Sequence, residues 1–125
     1  MGDKDVFIMK MKDRTKKFAV DIIKFCDSLK NSKPSSVITY QIIKSATSTG
    51  ANYRAACEAR SRAEFFSKIC IVTEEVDETA YWLEIIKESN LSSNDHELIR
   101  LTTEAVELTK IMSKAKHTSY LSQNH

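Results

Sequence analysis

Apolar side chains recur along this chain at alternating spacings of three and four residues, the period of a helix that buries one face. The first stripe is Phe18, Ile22, Phe25 and Leu29, flanked by Ala19, Ile23 and Cys26, and it predicts a helix over about residues 9–31. "NSKPSS" ends it, because Pro34 cannot sit in a helix interior while Ser32, Ser35 and Ser36 can accept the free amides of a new helix. The second helix, about 35–59, carries Ile38, Ile42, Ile43 and Ala46, then Tyr53, Ala56 and Cys57. Ser61-Arg62-Ala63-Glu64 is a capping box that opens the third, about 62–89, whose seam is Phe65, Ile69, Val72, Val76, Thr79, Leu83 and Ile86. "ESNLSSND" closes that helix. Asn94 and Glu97 form a cap pair for the fourth, about 94–117, with Leu98, Leu101, Ala105, Leu108, Met112 and Ala115 inward. The remaining "HTSYLSQNH" reads as a frayed tail.

"SATSTGA", residues 45–51, tests this reading, since small residues around a glycine also occur in phosphate-binding loops. Such a loop needs glycines at fixed offsets followed by Lys-Ser or Lys-Thr, and here there is one glycine and no such ending after it. Helical spacing continues on both sides, so a helix is expected to run through Gly50. That glycine costs a helix about 1 kcal/mol relative to alanine. A neighbour is therefore expected to approach closely at the slim section formed by Ser45, Ala46, Ser48, Thr49, Gly50 and Ala51. Four helices of roughly 20 to 28 residues on short connections predict one all-α domain over residues 1–125, an antiparallel up-down-up-down four-helix bundle.

A second stripe on the third helix does not fit inside a single core. Lys68, Ile71, Glu75, Glu78, Trp82 and Ile85 mix large apolar residues with charges. Ile71, Glu75, Glu78, Trp82 and Ile85 are the candidate oligomer interface, and Tyr81 stands beside Trp82. A tryptophan packed at a helix edge with its indole N–H facing water is the alternative.

Composition narrows the chemistry. Two glycines and one proline leave little room for the turns of an all-β fold. Cys26, Cys57 and Cys70 are an odd number at wide spacings without a Cys-x-x-Cys pair, as expected of reduced, buried thiols. No apolar run reaches the roughly 20 residues that span a bilayer, and "MGDKDVFIMKMKDR" lacks the features of a signal peptide, so a cytoplasmic protein with no membrane partner is expected. His96, His117 and His125 are the only histidines, and no Glu-x-x-His motif occurs. Glu74, Glu75 and Glu78 have no histidine with which to complete a metal site, and no serine sits in a Gly-x-Ser-x-Gly turn. Neither a catalytic residue nor a cofactor is implied, and the chain reads as a non-enzyme.

Charge is the more informative property. The net charge is +2, yet residues 1–70 hold 14 Lys and Arg against 7 Asp and Glu, while residues 71–125 hold 5 against 10. Lys10, Lys12, Arg14, Lys16, Lys17 and Lys24 crowd the first helix, and Arg54, Arg60, Arg62 and Lys68 cluster around the second turn. These ten are the candidate nucleic-acid-binding residues, with Asp13, Asp21 and Asp27 interleaved. Arg54 could instead pair with Glu75 or Glu78 on the third helix.

Several of these residues carry a family resemblance. Ser45-Ala46-Thr47-Ser48, Gly50-Ala51-Asn52, Arg60-Ser61-Arg62 with Glu64-Phe65, then Glu75, Glu78-Thr79 and Tyr81-Trp82-Leu83 resemble the small bacterial four helix bundle protein family. That family includes proteins encoded by intervening sequences in 23S ribosomal RNA genes, and it is similar to accessory proteins of diversity-generating retroelements. The resemblance implies a ring-like homopentamer with a basic surface that contacts RNA or DNA, and in the retroelement relatives a reverse transcriptase partner. Two readings follow: an oligomeric, non-enzymatic nucleic-acid-binding bundle, or a protein–protein interaction adaptor with no nucleic-acid role.

Overall fold

The structure, a computed structural model, describes residues 2–123 and consists of four helices: α1 (Asp3–Cys26), α2 (Lys33–Cys57), α3 (Arg62–Glu88) and α4 (Asp95–Gln123). Consecutive helices pack on one another, α4 returns to α1, and the diagonal pairs α1/α3 and α2/α4 do not meet. This is the expected antiparallel four-helix bundle, all-α among the described residues.

The core follows the stripes read above and extends to Met11 and Thr15 on α1, while Leu29 and Ala115 are only partly buried and Ile23 is exposed. Ile22, Ile42, Ile69, Val72, Val76, Leu83, Ile86, Leu101 and Leu108 are completely buried, each stabilising the fold by about 1.5–3 kcal/mol relative to exposure. Phe65, at the start of the α3 seam, is only partly buried. Two hydroxyls sit inside this core: Ser45 Oγ and Thr79 Oγ1 lie 2.7 Å apart between α2 and α3, and each also donates to, or shares its proton with, a carbonyl on its own helix. Gly50 lies within α2, and a Cβ added there would stand 3.5 Å from the backbone of Thr15 on α1. Gly50 therefore faces α1, whereas Ser45 of the same slim section faces α3.

The caps follow the sequence in two cases and half of a third. Ser32 Oγ accepts the Ser35 amide at 3.2 Å and Asn94 Oδ1 accepts the Glu97 amide at 3.1 Å. Ser61 Oγ accepts the Glu64 amide at 3.0 Å, but the Glu64 carboxylate turns to Arg60 instead of reaching back to the cap.

Helix ends differ from expectation in three places. α1 begins at Asp3 rather than near residue 9, with Asp3 and Asp5 in the first turn where carboxylates oppose the positive end of the helix dipole. It stops at Cys26 rather than 31. The amides of Asp27, Ser28 and Leu29 bond three residues back, and Lys30 N–H then leaves for the carbonyl of Leu91 at 2.8 Å. Ser93 adds a backbone bond to Ser28 at 3.0 Å and a hydroxyl bond to the same carbonyl at 2.6 Å, tying the α1–α2 connection to the α3–α4 connection. Finally, α4 continues to Gln123 where a frayed tail was expected, because Tyr120 packs its ring on Phe66 of α3 with centroids 6.0 Å apart.

Candidate nucleic-acid interface

Antiparallel packing sorts the basic residues by the helix seam on which they fall. On the α1–α4 seam, Arg14 donates through Nε and Nη2 to Glu104 at 2.8 and 2.6 Å and through Nη2 to Glu107 at 2.7 Å. One helical repeat higher, Asp21 accepts from Lys17 and Arg100, both at 3.0 Å, and Arg100 is also bonded to Glu97. Burial by itself would raise the Asp21 pKa, but the Lys17 and Arg100 hydrogen bonds outweigh it and hold the carboxyl below its usual range. The Arg14 and Arg100 guanidinium groups are held protonated by their carboxylate hydrogen bonds. Of the ten expected nucleic-acid residues, Arg14 and Lys17 are thus engaged internally.

The α1–α2 seam is different. A groove of about 290 Å³ runs along it, with Ala19, Gly50 and Ala51 as its slim floor. Lys12, Lys16 and Arg54 stand at one end and Val20, Ile23 and Thr47 at the other. Lys12 is 3.7 Å from Glu58. Lys16 and Arg54 form no ion pair among the described residues, so the alternative pairing of Arg54 with Glu75 or Glu78 is not realised. Those carboxylates lie on the opposite side of α2, where Lys44 is the cation beside Glu75. Burial, with Glu78 and Glu74 nearby, raises the Glu75 pKa despite Lys44.

Lys10, Arg60 and Arg62 are exposed where the α2–α3 turn closes the bundle, Lys68 is half-buried on the first turns of α3, and Lys24 lies exposed towards the other end. Arg60 alone of these has a carboxylate near, Glu64 at 3.7 Å.

The second stripe of α3 lies along the α2–α3 edge. Trp82 and Ile85 pack partly against the core, and Ile71 and Glu75 are half-buried. The indole N–H of Trp82 donates to Glu78 at 3.3 Å, and Tyr81 crosses it edge-on with centroids 5.1 Å apart. Tyr81 itself is exposed, among Glu74, Asp77, Glu78, Glu84 and Glu88, which makes the outer side of α3 acidic.

No group of three or more His, Cys, Asp or Glu residues among those described could hold a metal ion, and His125 lies outside the described residues. Burial raises the thiol pKa values of Cys26 and Cys57, keeping both protonated, and raises that of the Tyr53 phenol beside Cys57. Every buried side-chain polar atom described has a hydrogen-bond partner. Among the described residues no helix is long and apolar enough to cross a membrane.

Two features are not legible in the sequence. The pairing of Arg100 and Glu104 with α1 depends on the register of α4 on α1, a tertiary fact, and the lysines of α4 stand in a half of the chain that is acidic overall.

Fold and surface together define a small helical bundle with a cationic groove on one seam and an acidic helix on the far side. The chain belongs to the 23S rRNA-intervening sequence protein family, whose model matches residues 9–123. Among solved structures it is similar to a protein of unknown function from the S23 ribosomal protein family of Bacteroides thetaiotaomicron. The two share 34% identity over 84% of this chain and 96% of that one, with a TM-score of 0.73. No curated protein matches the chain.

Proposed function

We propose that this protein is a non-enzymatic, oligomeric bundle that binds the phosphate backbone of RNA or DNA through its basic α1–α2 side. The carrying observation is the division of cations between seams. Arg14, Lys17 and Arg100 are neutralised by carboxylates at 2.6–3.0 Å, whereas Lys16 and Arg54 flank a groove with none. Unpaired cations beside a floor of small residues let a phosphate chain approach the helices closely, and such contacts read no base sequence. The family's description names a 23S rRNA intervening sequence, which supports testing RNA first. A ring-like pentamer is the assembly that the family resemblance suggests, and a cytoplasmic location accords with the thiols being free.

The test is binding of the purified protein to a structured RNA and to duplex DNA over a salt series, comparing wild type with Lys16→Glu/Arg54→Glu. The double variant is expected to keep its helical circular dichroism and lose at least about tenfold in affinity at low salt. Unchanged affinity would remove this groove as the site.

One observation favours a second reading, that of a protein adaptor. Tyr81 is exposed on the acidic outer side of α3, beside Trp82 and its bond to Glu78. Under that reading Tyr81→Ala/Trp82→Ala lowers the solution mass or the affinity for a basic protein partner. An unaltered mass and partner affinity would count against it.

A further inference from the structure

The α1–α4 seam changes character along its length. In its upper part cations meet carboxylates: Arg100 meets Asp21 and Glu97, Lys17 meets Asp21, and Arg14 meets Glu104 and Glu107. The 2.7 Å bond from Arg14 to Glu107 fixes the register of the two antiparallel helices at that level. Four residues further along each helix, about 6 Å of axial rise, Lys10 on α1 comes level with the turn of α4 that carries Lys110 and Lys114. Lys10 lies four residues before Arg14, and Lys110 and Lys114 lie three and seven after Glu107, so all three stay on the faces that flank the seam. All three are exposed, and none has an ion-pair partner among the described residues.

Phe7, seven residues before Arg14 on the same face of α1, exposes 48% of its surface. A phenylalanine with nearly half of its surface open beside a lysine leaves ring area that a flat base from outside can cover. The wider surroundings have the same sign. Residues 2–14, 52–70 and 110–123 share this end of the bundle and contain 11 Lys and Arg against 5 Asp and Glu, while the rest of the chain contains 8 against 12.

We infer that the lower α1–α4 seam binds unpaired nucleotides, with Lys10, Lys110 and Lys114 on successive phosphates and Phe7 stacked on a base. Lysines without internal counterions supply the salt-dependent part of such binding, and an open aromatic ring supplies a part that every base can use. A duplex, whose bases are already stacked, would use only the lysines. The inference rests on the nucleic-acid reading above but assigns a different seam, and it adds α4 residues to the site.

The experiment uses the full chain and a fluorescent RNA offered as a single strand and as the same strand in a duplex. Lys110→Gln/Lys114→Gln should weaken single-strand binding and reduce the slope of log affinity against log salt by roughly 1.4. Phe7→Ala should weaken single-strand binding roughly tenfold and leave that slope unchanged. Lys30→Gln/Lys33→Gln, at the opposite end, serves as the control for net charge and should leave affinity intact. If wild type binds and only Lys16→Glu/Arg54→Glu weakens it, the nucleic-acid reading stands and this seam is excluded. If the Lys30 and Lys33 variant weakens binding equally, or if Phe7→Ala has no effect on the single strand, the inference is overturned. If wild type binds no nucleic acid at low salt, both readings are overturned together.

Discussion

Gly50 and Asn90 show how single residues set local geometry in this bundle. At Gly50 the helix forgoes about 1 kcal/mol of propensity, yet a methyl group there would meet Thr15 at 3.5 Å, ordinary van der Waals contact. Gly50→Ala is therefore expected to stabilise the protein by up to about 1 kcal/mol in urea unfolding, and Gly50→Leu to destabilise it by about 1–3 kcal/mol through overpacking. A clear loss of stability in the alanine variant would mean that α1 and α2 lie closer than described. Asn90 has φ of 55°, the left-handed conformation that ends α3. Its amide bonds to Lys87 and that of Leu91 to Ile86, at 3.2 and 3.1 Å, the paired bonds of a Schellman cap. Asn90→Gly should be neutral to slightly stabilising and Asn90→Val should cost about 1–2 kcal/mol, read as a shift of the thermal midpoint. Ser61 announced its helix in the sequence because a hydroxyl three residues before a glutamate is a local pattern. Asn90 did not, since nothing in "ESNLSS" distinguishes a left-handed asparagine from a polar loop residue.

At the scale of elements, the four helices were legible because each carries one continuous apolar stripe, and their order and short connections dictated the bundle. Their ends were less so. Leu29 prolongs the α1 stripe in sequence but belongs to a connection stitched to the α3–α4 loop, and only the folded chain brings Leu91 to Lys30. The α1–α4 contact is the thinnest of the four and depends on ion pairs as well as packing. A double-mutant cycle on Arg14 and Glu104 should give a coupling of roughly 0.5–1 kcal/mol that diminishes in high salt, since both groups are partly solvated. The Asp21 carboxyl has a depressed pKa, so its stabilising contribution is complete above the unfolded value near 4 and is lost as pH falls through the lower folded value. Asp21→Asn should consequently be less stable than wild type at pH about 6. The two should converge as both are titrated into acid, and parallel acid limbs would show that Asp21 is not held by Lys17 and Arg100.

For the molecule as a whole, topology rearranges the charge that the sequence presents in two halves. Read linearly, the chain is basic and then acidic, with Lys110, Lys114 and Lys116 inside the acidic part. Folded, α4 carries those lysines back to the end where Lys10, Arg60 and Arg62 lie, and the acidic residues of α3 are left on the side away from α1. The candidate basic residues were thus legible as a class but not as a surface. Lysines and arginines are visible one by one, whereas Arg14 and Lys17 are distinguished from Lys16 and Arg54 only by which seam they face. The central claim is that these unneutralised cations hold nucleic acid. It is met most directly by titrating the wild-type protein with a structured RNA from about 50 to about 200 mM salt, with light scattering on the same samples. Micromolar or tighter binding that weakens steeply with salt, by a species larger than one chain, is the expected result. No binding at the lowest salt would contradict the account and direct attention to a protein partner for the acidic side of α3.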